Sequence, residues 1–229
     1  MLQDRGWSAL SGARAVDFNV VLCHGASAGA DLETGVKRII DAGVPGVMMV
    51  TGQALGEVQT LVALGWACVG SVPLMMMGLS PSDPPLATEA AVRPLDTHEL
   101  DAARAIIDEV FGIGPEPALV AIPPDAAERT GQSVWGAFDD GNQLASCLAT
   151  VRAGEIVAIW SMATAPAARR RGYGASVLRA ALAAQADRGA RSALLYSSPA
   201  AEAFYRTFGF RLLERWQLWS RPRWVLGRA

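Results

Sequence analysis

The stretch Arg169-Arg170-Arg171-Gly172-Tyr173-Gly174-Ala175 limits what this chain can fold into more than any other. An apolar run, Ile156 to Thr164, precedes it, and a run with helical spacing, Tyr173 to Arg188, follows it. A strand that turns through glycines into a helix leaves backbone N–H groups uncovered at the positive end of that helix. Arginines stand beside those groups. The pattern predicts a phosphate-bearing ligand at a strand-to-helix turn, against the plainer alternative of a solvated basic turn. Two other phosphate motifs are excluded. A dinucleotide fingerprint needs a third glycine where Val177 stands, and a Walker loop needs Gly-Lys-Ser/Thr, which the chain lacks.

Composition narrows the class. With 51% apolar and 18% charged residues in 229, the chain is globular and long enough for a sizeable core. A net charge of −2 provides no broad basic surface, so no nucleic-acid partner is expected. No apolar run approaches the roughly 18 residues of a membrane span, and the N-terminus does not resemble a signal peptide. No membrane partner is expected, and the cytoplasm is the expected location. Cys23, Cys68 and Cys147 are far apart and lie in apolar segments, which predicts buried, reduced thiols. His24 and His98 are the only histidines, no metal-ligand spacing occurs, and no metal is expected.

Taken in order, 13–24 reads as a strand, Leu32 to Ile40 as a helix closed by Gly43, and Val47 to Val50 as a strand. Leu55 to Val62 reads as a second helix ended by Gly65, and Trp66 to Leu79 as a strand or bent strand pair. Met75-Met76-Met77 reads as core. The prolines of Ser80 to Pro85 mark a linker. Ala90 to Leu95 is a strand, and Asp96 or Thr97 caps a helix through Val110. A loose proline-rich segment leads to a short helix near 125–129. Ser133–Phe138 and Gln143–Arg152 form a hairpin, followed by the strand Ile156–Thr164. After the glycine turn come a helix ending at Gly189, the strand Ala193–Tyr196, and a helix from Ala201 to Phe208. Leu212–Trp219 and Arg223–Leu226 read as the last strands.

The order strand, helix, strand, helix, strand occurs twice. Gly43 and Leu64-Gly65-Trp66 parallel Gly189 and Phe208-Gly209-Phe210. The first copy lacks the arginines, having Gly25-Ala26-Ser27-Ala28-Gly29 at the turn, and has Leu61 where the second has Tyr205.

With Tyr205 and Gly209-Phe210 in view, the second part resembles the GNAT superfamily of N-acetyltransferases. The superfamily's R/Q-x-x-G-x-G/A element matches Arg169, Gly172 and Gly174, preceded by Pro166. Its Asn-x-x-Ala-x-x-x-Tyr-x-x-x-Gly-Phe element matches Ala201, Tyr205, Gly209 and Phe210, with Ser198 in place of the asparagine. The resemblance covers about 88–226. It implies an α/β (α+β) GNAT fold, a mixed, mostly antiparallel sheet flanked by helices, with an N-terminal β-α-β-α-β half-repeat. The implied segments are a degenerate GNAT-like half-domain at 1–79, a linker at 80–87 and an acetyltransferase domain at 88–229.

The resemblance further implies acetyl-CoA or a related acyl-CoA as donor, lying where the fourth and fifth strands of the domain splay. Its pantetheine arm would pair with Met162, Ala163 and Thr164. Its pyrophosphate would lie on the amides from Arg169 through Arg170, Arg171, Gly172, Tyr173 and Gly174 to Ala175. Ser198 and Ala201 belong to the same cofactor-binding set. A neutral primary amine, either a small molecule or a peptide N-terminus, attacks the thioester carbonyl, and a backbone N–H near Met162 stabilises the developing charge. Tyr205 protonates the departing thiolate.

The general base stays open among Glu155, Asp108, Glu109 and water, because Ala158, Ile159 and Trp160 are apolar where some protein-acetylating members carry a glutamate. Trp160, Trp216, Trp219 and Trp224 suggest either core packing or an apolar acceptor pocket. The rival from another class is a non-catalytic CoA-binding or interaction protein with a decayed active site. A homodimer formed through the N-terminal half is compatible with either.

Overall fold

The computed structural model describes residues 6–25, 28–80 and 90–226. The linker expected at 80–87 lies outside the described residues from 81 onward. The chain divides into two compact units, the first holding Met1–Leu74, Ser197–Tyr205 and Leu212–Ala229, the second Met75–Tyr196 and Arg206–Arg211.

In the first unit β1 (Gly6–Leu10) pairs antiparallel with β2 (Asn19–Cys23), and β2 runs parallel to β3 (Val47–Val50) across α1 (Ala28–Asp41). A 3-10 turn and α2 (Gln59–Ala63) lead from β3 to β4 (Ala67–Gly78), a single strand that runs past the boundary of the unit. The order β-α-β-α-β therefore stands from β2 to β4, with β1 as an added strand that the sequence did not announce. Leu32, Val36 and Ile39 of α1 pack with Val21, Met48 and Val50 on one side of the strands, and Val20, Leu22, Val47 and Met49 fill the other. Burial of both faces explains why β2 and β3 read as continuous apolar runs.

The strand expected over 13–24 begins only at Asn19, after a 3-10 turn at Val16–Phe18. Asn19 is fully buried, and its Nδ2 donates to Ala13 O (2.7 Å), Ala15 O (3.2 Å) and Pro45 O (2.8 Å) while Oδ1 accepts from Gly12 N (3.1 Å). One side chain thus satisfies four backbone groups, of which the carbonyls of Ala13 and Ala15 belong to buried residues. Asn19→Ala is expected to lower stability by about 2–4 kcal/mol, because orphaned buried polar groups retain their full desolvation cost. Urea unfolding with an unchanged midpoint would contradict this.

The second unit holds β5 (Ala91–Pro94), α3 (Leu100–Phe111), α4 (Pro115–Ala121), β6 (Gln132–Phe138), β7 (Leu144–Ala153), β8 (Ile156–Thr164), α5 (Tyr173–Asp187) and β9 (Ser192–Tyr196). Its strands pair in the order β9-β8-β7-β6-β5, antiparallel except β8 with β9. This is the mixed, mostly antiparallel sheet expected. Asp96 and Glu99 form a capping box ahead of α3, and Arg93 grips Glu99 and holds its carboxyl down at about 2.

Three expected elements differ. The helix anticipated near 125–129 is a run of turns, and α4 forms earlier, inside the proline-rich segment. Pro115 occupies its first position and Pro117 its first turn, where no intrahelical N–H is lost. After β10 (Arg211–Ser220), Arg223–Leu226 is not a strand but part of α7 (Pro222–Leu226), again opened by proline. Ahead of β10 in the chain, α6 (Glu202–Arg206) is shorter than the periodicity from Ala201 to Phe208 suggests. Among the described residues no helix is long and apolar enough to cross a membrane.

The cysteine expectation holds for two of three. Cys23 and Cys147 are buried, and burial pushes their thiols up to about 11 and about 12. Cys68 is exposed, because the β4 segment from Cys68 to Gly70 is itself exposed. A maleimide at neutral pH is expected to label Cys68 alone in the native protein and all three thiols in denaturant. Equally fast labelling of Cys23 or Cys147 would contradict the fold.

Candidate active site

The C-terminal end of β8 and the N-terminal end of α5 meet in the second unit. β7 and β8 pair Ala149 with Trp160 but Cys147 with Ala163, so Ser161 and Met162 together oppose Leu148. That is a β-bulge, and Ser161 takes φ 51° to make it. Ser146 of β7 secures the strand just beyond, its Oγ donating to Ala163 O (2.8 Å) and lying 2.9 Å from Thr164 Oγ1. Pairing of β8 with β9 covers only Ile156, Val157 and Ala158, although β8 runs on to Thr164. The two strands are joined at one end and part toward the bulge.

A 3-10 turn at Pro166–Ala168 carries the chain into the arginine segment. Arg170 (φ 64°) and Gly172 (φ 87°) both take left-handed backbone, and Gly172 is the N-cap of α5 with no side chain closing it. Ser176 N–H makes a helical bond to Gly172 O (2.9 Å), so the amides of Tyr173, Gly174 and Ala175 have no partner within the helix. Tyr173 is buried beneath the Arg171 guanidinium, and Arg169 Nε donates to Thr164 O (3.4 Å). Arg169, Arg170, Arg171 and Gly172 are exposed, whereas Ala175 is half-buried.

Gly174 packs the turn against the strand. A Cβ there would lie 3.0 Å from Thr164 Oγ1 and 3.4 Å from Met162 Cε. At Gly172 a Cβ would meet nothing within 4 Å, so that glycine serves the left-handed backbone and leaves space over the amides. Met162, Thr164, Gly174 and Ser146 are therefore brought together, with Ala163 buried beside them. A cradle of bare amides beside a bulged, half-paired strand suits an elongated ligand with a phosphate at one end. Ser146 was not anticipated; only the small polar residue within a strand pattern pointed to it.

Tyr205, Ser198 and Ala201 belong to the first unit. Tyr205 is 8% exposed, packs edge-on against Phe204 with ring centres 5.3 Å apart, and burial pushes its hydroxyl up to about 12. Ser198 is exposed and precedes the 3-10 turn Pro199–Ala201 without capping it through its side chain. Of the candidate bases, Asp108 is committed to Gly114 N (2.6 Å), while Glu109 and Glu155 are exposed. Asp96, His98 and Glu99 offer ligand atoms within 4.8 Å of one another, a grouping that the histidine count passed over. The first and last of these serve as the capping box.

Residues 130–212 match the family model of the acetyltransferase (GNAT) domain. No curated protein matches the chain. Among solved structures it is similar to a GCN5-related N-acetyltransferase from Kribbella flavida, at 19% identity over 92% of this chain and 84% of that one, with a TM-score of 0.67. A GCN5-related N-acetyltransferase from Sphaerobacter thermophilus aligns at 19% identity over 94% of this chain and 76% of that one, with a TM-score of 0.69. A functionally unknown conserved protein from Staphylococcus epidermidis aligns at 11% identity over 96% and 92%, with a TM-score of 0.68. At such identities the likeness is one of fold, and the sequence match to the GNAT acetyltransferase domain is confined to residues 130–212.

Proposed function

We propose that this chain moves an acetyl group from acetyl-CoA to a primary amine by direct attack in a ternary complex. The observation that carries the reading is the uncapped start of α5 lying against the bulged end of β8, packed so closely that a Cβ on Gly174 would lie 3.0 Å from Thr164 Oγ1. Acetyl-CoA supplies the activated acyl group. The amides from Arg169 to Ala175 hold its pyrophosphate, and the helix end adds favourable charge. Met162, Ala163 and Thr164 offer backbone along the part of β8 that has separated from β9. A backbone N–H near Met162, re-aimed by the bulge, stabilises the oxyanion formed when the amine nitrogen attacks the carbonyl carbon.

Collapse of that intermediate breaks the C–S bond, and Tyr205 protonates the leaving thiolate. The phenol is protonated at neutral pH, the state an acid requires, and burial pushes its value further up, to about 12. With Asp108 committed to Gly114 N, the amine's proton leaves through water, Glu109 or Glu155. Within the same reading, 1–79 is a degenerate half-copy joined by 80–87 to the acetyltransferase domain at 88–229. Calorimetric titration of acetyl-CoA, with competition by CoA, tests the donor. Micromolar binding is expected, and no binding by folded protein would contradict it.

A further inference from the structure

The opposite side of the same strands bears on the acceptor. Cys147, paired with both Gly136 and Ala163, directs its Sγ to Ala103 O of α3 (3.8 Å), which identifies the face covered by α3. Ala149 and Val151 share that face by strand alternation, and so do their partners Trp160 and Ala158. Ile156, paired with Ala153, continues the row and is 46% exposed, while Ala158 and Trp160 are half-buried. Trp160 stands immediately before the bulge, and its Nε1 donates to Ala121 O at the end of α4 (3.1 Å). The indole is thus held by one edge beside the backbone that the acetyl-transfer reading uses.

Positive charge along this wall is committed or missing. Arg104 is the sole basic residue of α3, α4 and β8. Its Nε donates to Ile122 O (2.8 Å) and its terminal nitrogen pairs with Asp101. An acceptor carrying a carboxylate beside its amine would lose water there and find no free cation on α3, α4 or β8 in exchange. A fixed indole instead offers apolar area and the negative face of its ring to an ammonium.

We propose that Trp160 is a specificity-determining residue for the acceptor, selecting a primary amine carried on a flat apolar body with no carboxylate beside the nitrogen. This inference rests on the acetyl-transfer reading. Phenethylamine and phenylalanine differ by that carboxylate, and both are assayed as acceptors from acetyl-CoA with wild type, Trp160→Phe and Trp160→Leu. Phenethylamine is expected to have the higher kcat/KM by about tenfold or more, the scale of a pocket mismatch. Trp160→Leu is expected to raise its KM about tenfold with kcat and the KM for acetyl-CoA unchanged, a loss of uniform binding; Trp160→Phe falls between.

Equal or better use of phenylalanine, or a Trp160→Leu enzyme with unaltered acceptor KM, overturns the inference. Calorimetric titration of both amines into the full chain, with and without CoA, separates this failure from that of the underlying reaction. Phenethylamine bound through Trp160 by a protein that does not take acetyl-CoA would overturn acetyl transfer alone. Acetyl-CoA bound with neither amine preferred would overturn the role of Trp160 alone.

Discussion

Gly172→Trp is expected to abolish acetyl-CoA binding in a protein that remains folded. The position has φ 87°, and a Cβ there meets nothing within 4 Å, so the folding cost is confined to the backbone. That cost is about 1–2 kcal/mol for a residue forced into left-handed geometry, against a typical reserve of about 5–15 kcal/mol. The indole, by contrast, stands over the amides of Tyr173, Gly174 and Ala175, where a phosphate must approach within hydrogen-bond distance. Affinity should fall about a hundredfold or more, the scale of misplacing a charged ligand at such a site. Gly172→Asn is the control, since asparagine tolerates this backbone with a short side chain, and it should bind nearly as wild type. A Gly172→Trp protein with wild-type affinity would mean that the pyrophosphate is held elsewhere.

Tyr205→Phe is expected to lower kcat about a hundredfold while the KM for acetyl-CoA changes by less than about twofold, because only the proton transfer is removed. The ring is retained, and so is its edge contact with Phe204 at 5.3 Å. The pH behaviour follows from burial. The hydroxyl is pushed from 10 to about 12, so the phenol stays protonated through the neutral and mildly alkaline range. No loss of activity near pH 10 should be traceable to it. The folded value lies above the unfolded one, so its contribution to stability is complete below about pH 10 and is lost as pH rises toward 12. An unchanged kcat in Tyr205→Phe would remove Tyr205 from the mechanism.

What the sequence disclosed follows from local physics. β8, the turn and α5 were legible because glycines and a change of period from strand to helix mark them. The bulge was not. Ser161 has no feature that announces positive φ, and two residues opposing Leu148 are visible only once β7 is in place. Pro115 and Pro117 read as breakers although both sit where a helix tolerates them. Trp-Val-Leu in α7 has strand-forming side chains, yet Pro222 ahead of it starts a helix. Asn19 looked like one more strand residue, because its partners Ala13, Ala15 and Pro45 come together only on folding. Trp160 was one tryptophan among several until the Ala121 carbonyl fixed its place. In each case the missing information is a contact distant in sequence.

The measurement that tests the central claim most directly is release of the CoA thiol from acetyl-CoA, followed with and without phenethylamine, with the product weighed by mass spectrometry. Amine-dependent release with stoichiometric N-acetylated product is the predicted result. Tight binding of acetyl-CoA without amine-dependent release, across aryl, alkyl and peptide N-terminal amines, would contradict it and leave a CoA-binding protein that performs no transfer.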